Sequence, residues 1–161
     1  MEFWLGGPVE GVTPMLMPAA HTFLQVRLDV PEIVSSLSVD RLWQRPGRSA
    51  SIGFHAVHIA GATDRLMTYA RGQQMTEAQL ADMRLEATLT GLEPEEIAAR
   101  VRRAIDEAMA QVRSTTDGEL LVVRGVGRKQ LPSTTLGLIT HAAEHALRHA
   151  GQIATLARVL S

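Results

Sequence analysis

Six histidines, His21, His55, His58, His141, His145 and His149, are the residues of this 161-residue chain whose type and spacing best suit chemistry. Five of the six fall into two short stretches, 55–58 and 141–149. On a helix that turns about 100° per residue, His141 and His149 lie about 40° to either side of His145. Leu138 and Leu156 share that stripe within about 20°, whereas Glu144, Thr155 and Arg158 fall about 80–140° away. Around His58, Tyr69 lies within about 20°, Phe54 and Ala62 within about 40°, and His55 at about 60°. Both sets of imidazoles therefore sit on the apolar stripes that must turn inward.

A neutral imidazole buried without partners leaves a donor and an acceptor unsatisfied, at about 1–3 kcal/mol each. One divalent ion satisfies several imidazoles at once. Histidines at i and i+4 on a helix can reach a common ion. His141 and His149 are about 12 Å apart along the axis, too far for one ion. The pair is thus His141/His145 or His145/His149. A third imidazole from another helix completes a three-histidine site with positions left for water or substrate, the pattern of catalytic rather than structural zinc. The competing reading is a set of hydrogen-bonded core histidines, because an HxxxH spacing alone has low specificity. His21 and His55 are read as structural or supporting.

Three more residues belong with these candidates. Gln152 shares the stripe of His145 and is placed either to orient a ligand or to make a helix-packing hydrogen bond. Arg65 and Tyr69 lie further along the face of His58, within reach of an anionic or polar substrate. For Arg65 the favoured reading is a surface side chain that snorkels to water. Arg124, Arg128 and Lys129 are read as a solvated loop.

Composition narrows the field. The absence of cysteine removes thiol catalysis, Fe–S clusters and thiolate-bound zinc. Lys plus Arg is 16 and Asp plus Glu is 17, a net −1 that gives no reason to expect nucleic acid or an anionic membrane as partner. No run of about 18 apolar residues spans a membrane. The segment Val12–Leu28 is cut by Pro14, Pro18 and His21, so it does not read as a signal peptide, and the expected location is cytoplasmic.

The elements that must position the histidines are helices. Ala, Leu, Arg, Glu and Met, all good helix formers, dominate long stretches. Residues 1–13, with Gly6, Gly7, Pro8 and Gly11, read as an irregular arm of one domain covering 1–161. A first long helix starts at Pro14 or Pro18 and runs to about Leu37, with Pro31 expected to kink or divide it. Ser38 caps a short helix over Val39–Trp43 that Pro46 and Gly47 end. A second long helix runs from Ser49 or Ser51 to Ala70, with Gly72 as its stop. Thr76 and Gln79 match a capping box that opens a helix to about Ala87. Pro94, Glu95 and Glu96 begin a third, with Ile97, Val101, Ile105, Met109 and Val112 at helical spacing. Residues 115–132 form a crossover with a short strand or hairpin around Leu120–Val123. Ser133 or Thr134 caps the last helix, to about Leu160. The fold class is all-α, a four-helix bundle with a long crossover before the last helix.

Two motifs also carry a family resemblance. The run through His145, His149, Gly151, Gln152 and Ile153 resembles the HxxxHxGQI signature that ends the DinB-like (DinB/YfiT) metalloenzyme domain. Gly53–Gly61, followed by Leu66 and Gly72, resembles that family's first ligand helix. Leu42, Trp43 and Pro46 resemble the segment before it, and residues 131–134 the start of the last helix. The likeness covers about Pro14 to Leu160. It implies a bundle holding one divalent metal, nickel or zinc, on His58, His145 and His149, with His141 as a second candidate. Relatives include hydrolase-like proteins and enzymes that use low-molecular-weight thiols, so the implied activity is hydrolysis or thiol transfer on a small-molecule substrate. In the mycothiol-dependent isomerases the middle ligand is glutamate; His145 stands there in this chain, which argues against that activity. The implied homodimer fits Leu136 and Leu147, which lie near 180° from the histidine stripe. The alternatives are a non-enzymatic scaffold or regulator with a structural or vestigial ion, and a haem-binding bundle, which the clustering of three ligands on one side disfavours.

Overall fold

Why the chain forms these helices is plainest over Pro94–Ser114. Proline opens the helix, Glu95 and Glu96 face its positive N-terminal end, and Arg113 lies in the last turn. Ile97, Val101, Ile105, Met109 and Val112 recur every three or four residues, and all are buried. The computed structural model describes residues 2–160 and contains six α-helices and one hairpin among them. The helices are α1 (Met17–Ser35), α2 (Val39–Trp43), α3 (Ile52–Ala70), α4 (Glu77–Glu86), α5 (Pro94–Ser114) and α6 (Thr135–Val159). The protein is mostly helical, and its frame is a bundle of the four long helices α1, α3, α5 and α6.

Helix starts follow local chemistry. The Ser38 hydroxyl accepts from Arg41 N, Ser51 from Phe54 N and Thr134 from Gly137 N. Thr76 and Gln79 form the reciprocal capping box at α4. Gly72, just past α3, takes a positive φ of 78°. Pro31 departs from expectation: it is buried within α1 and does not divide it. Interior proline costs about 3 kcal/mol. The buried stripe of Phe23, Val26, Val30 and Val34 offsets this, at about 1.5–3 kcal/mol per large apolar side chain.

Helix α3 packs on α5 and α6, and α1 packs on the same two. Thus α1 and α3 occupy one diagonal of the bundle, and α5 and α6 the other. The chain must cross the bundle end between α5 and α6, which requires the long connection. That connection carries β1 (Val123–Val126) and β2 (Leu131–Thr134), antiparallel, with Val123 opposite Thr134 and Val126 opposite Leu131. The strand begins later than the apolar run suggests. Leu120 is withdrawn from it, 4% exposed as an anchor in the core. Helices α3 and α6 run antiparallel. The Thr135 hydroxyl meets the Ala70 carbonyl at one end, and His55 faces His149 at the other.

Candidate metal centre

Ser51 caps α3, which carries His58, and Thr134 caps α6, which carries His145 and His149. Burial of Ile59 on α3 and of Ile139, Ala142, Ala146 and Ile153 on α6 draws the two helices together. The three imidazoles then meet. Nε2 of His58 lies 3.0 Å from Nε2 of His145. The His149 ring centre is 4.6 Å from that of His145 and 4.7 Å from that of His58. One ligand atom from each lies within 4.8 Å of the other two. Nitrogens bound tetrahedrally at zinc distances are separated by about 3.3 Å, so this donor set needs little adjustment to surround an ion.

Spacing left two pairs open, and position brings only one of them to His58. His145/His149 is the pair that joins His58, while His141 is exposed and pairs with Glu144 at 3.1 Å. Electrostatics favour the neutral, metal-ready form of His149, His145 and His55. Partial burial lowers His149 to about 4, reinforced by His58, His145, His55 and Arg148. Burial also lowers His145 and His55, with His58 adding to both shifts.

Each inner ring has polar support. His55 Nδ1 lies 2.8 Å from His149 Nδ1, so one of the two carries the shared proton. His58 donates from Nδ1 to Glu86 Oε2 at 2.8 Å. Glu86, 7% exposed, also accepts from both terminal nitrogens of Arg65. Burial works to raise the Glu86 pKa, but the hydrogen bonds from His58 and Arg65 and their charge outweigh it and hold the carboxyl below its usual value. Phe54 stacks on His58 with ring centres 5.6 Å apart and 9° between planes. Beside Phe54 a cavity of about 260 Å³ lies against Trp43, Ser51, Ala87 and Leu89.

Other expectations fare differently. Arg65 is not a snorkelling surface side chain: it is 9% exposed and locked to Glu86. A buried guanidinium needs a counter-charge, and α4 delivers one. Tyr69 is packed in the apolar core and Gln152 is exposed. His21 Nε2 meets the Gly7 carbonyl at 2.8 Å, which ties the N-terminal arm to α1. Arg124 is only partly solvated and donates to Thr135 Oγ1 at 3.0 Å. Leu136 is partly buried against the core, whereas Leu147 is 47% exposed. Leu147 borders a larger cavity of about 650 Å³ with Trp4, Met17, Pro18 and His21, on the side of α6 away from the three histidines.

Glu86 is the site residue that sequence reasoning missed. Its signal was indirect: an arginine on the inward stripe of α3 requires a carboxylate from some other element.

The comparisons with known proteins agree with this fold. The family model described as the DinB superfamily matches residues 22–153. A DinB-family protein from Exiguobacterium sibiricum is similar in structure, with a TM-score of 0.72 at 14% identity, covering 92% of this chain and 93% of that one. A DinB-like protein from Bacillus cereus gives 0.65 at 18% identity, covering 85% and 89%. A conserved protein from Enterococcus faecalis gives 0.64 at 15% identity, covering 90% and 96%. No curated protein matches the chain. The family match spans most of the sequence and includes all three clustered histidines: the chain belongs to the DinB superfamily.

Proposed function

We propose that this chain is a metal-dependent enzyme in which His58, His145 and His149 hold one divalent transition ion, nickel or zinc. The observation that carries this reading is the convergence of three partly buried imidazoles, two with lowered pKa, between two packed helices of the bundle. Neutral imidazoles are the form a divalent ion binds, and three of them leave its charge uncancelled. Such an ion supplies Lewis acidity that lowers the pKa of a water or thiol.

The chain's own residues do the rest. His145 and His149 stay deprotonated at neutral pH because protonation would place charge in a partly buried, already basic cluster. His55 holds the proton-sharing contact with His149. Phe54 covers one face of His58. The reaction class this supports is hydrolysis of a small molecule or transfer of a low-molecular-weight thiol to one. The exposed Leu147, opposite the histidines, supports a homodimer. A cysteine-free composition suits the cytoplasm, and among the described residues no helix is long and apolar enough to cross a membrane.

Elemental analysis of purified protein tests the metal assignment. About one nickel or zinc per chain is expected, with loss of the ion in His145→Ala and His149→Ala. Full occupancy in both variants overturns it.

A further inference from the structure

The connection between α3 and α5 presents an unusual feature. Glu86 ends α4, where the helix dipole disfavours an anion, and its carboxylate is buried. Both placements oppose stability. A buried ion pair is also often no better for stability than apolar residues of similar volume. Yet the surroundings are built to receive this side chain. Arg65 grips it with two nitrogens, and Gly61 of α3 leaves the space it fills. A Cβ at Gly61 would collide with Glu86 Oε1 and come within 2.7 Å of an Arg65 terminal nitrogen. What the carboxylate gains in return is the hydrogen bond from His58 Nδ1.

We infer that Glu86 is a positioning residue for the metal centre: its carboxylate fixes the proton of His58 on Nδ1 and so turns the Nε2 lone pair toward the ion. This rests on the metal reading above. An ionised carboxylate can only accept a hydrogen bond, so the facing imidazole nitrogen must donate. The other nitrogen, already 3.0 Å from His145 Nε2, is then the one free to ligate. Arg65 acts one step further back by holding Glu86 ionised and in place. Partners of this kind typically change metal affinity about 10–100-fold when removed.

Two readouts test the role, neither of which needs an assay of activity. Long-range ¹H–¹⁵N NMR of the metal-free protein reports which His58 nitrogen carries the proton, and zinc titration against a competing chelator reports affinity. Wild type is expected to show the Nδ1–H form. Glu86→Gln is expected to mix the two tautomers and weaken zinc binding at least about tenfold. Because that variant leaves Arg65 without a counter-charge, the double variant Arg65→Met/Glu86→Gln is measured beside it. An Nε2–H tautomer in wild type overturns the inference. So does zinc affinity within about twofold of wild type in the folded Glu86 variants. A wild type that binds no zinc or nickel overturns the metal reading and this inference with it. Loss of zinc in His145→Ala, alongside unchanged affinity in the Glu86 variants, overturns this inference alone.

Discussion

At the scale of single residues, the site is defined by imidazoles that resist protonation. Free histidine titrates near 6.5, and His149 is lowered to about 4. The folded pKa lies below the unfolded one, so between those two values the unfolded chain binds more protons. Metal-free stability is therefore expected to rise with pH from about 4 to about 6.5 and to level off above. His145 and His55 shift in the same direction and add to the slope. Melting temperatures measured across this range on wild type and His149→Gln check the point: the variant should show a shallower rise, and an equal slope would count against a partly buried, neutral His149. His141 provides the contrast. Exposed and paired with Glu144, it is expected to tolerate His141→Ala with metal content unchanged.

Single positions were legible in the sequence to the extent that helical phase governs them. His58, His145 and His149 could be placed on inward stripes because each helix is long and its apolar residues are regularly spaced. Phase could not separate His141 from His149, since both lie equally close to His145 in projection. Their difference arises from where along α6 the partner helix presents His58. Arg65 was misjudged for a related reason. Its counter-charge comes from Glu86, 21 residues away on another helix, and such a pairing leaves no periodic trace.

At the scale of elements, the centre depends on how α3 begins and on what α4 delivers to it. Ser51 caps α3 through Phe54 N, and Ser51→Ala is expected to cost about 1 kcal/mol in denaturant unfolding. Gly61 is a stricter requirement. Gly61→Ala forces Glu86 or Arg65 to move, and overpacking of this kind costs about 1–3 kcal/mol. Chemical denaturation measures that cost, and a neutral substitution would mean that α4 shifts freely. Gly53 plays a similar part toward α2, since a Cβ there would lie 2.9 Å from Trp43 ring atoms. The caps at Ser38 and Thr76 were readable, and those of α3 and α6 were narrowed to Ser49 or Ser51 and Ser133 or Thr134, because a cap satisfies its own helix within three residues. The start of β1 was not, because burial of Leu120 is decided by the body of the bundle and not by the strand.

At the scale of the whole molecule, two long helices on one diagonal and two on the other enclose an apolar core that reaches the histidines. Ile153, fully buried one turn beyond His149, belongs to both. Ile153→Ala is expected to lose about 2–5 kcal/mol of stability. An ion at 100 times its dissociation constant adds about 2.7 kcal/mol to the folded state. In a chain of this size that corresponds to a rise of about 5–10 °C in Tm. Calorimetry with zinc and then with excess chelator should show the rise and its reversal, and Tm values that ignore both additions would argue against a bound ion. The overall architecture was legible because helix caps and stripes are local, and because the long connection before α6 fits a crossing from one corner of the bundle to the opposite one.

The most direct test is crystallographic. Crystals grown with saturating zinc or nickel should give one anomalous peak per chain at that metal's absorption edge, about 2.0–2.1 Å from a nitrogen of each of His58, His145 and His149. A map with no peak among these three rings, or with the ion held instead by His141 and Glu144, would contradict the assignment.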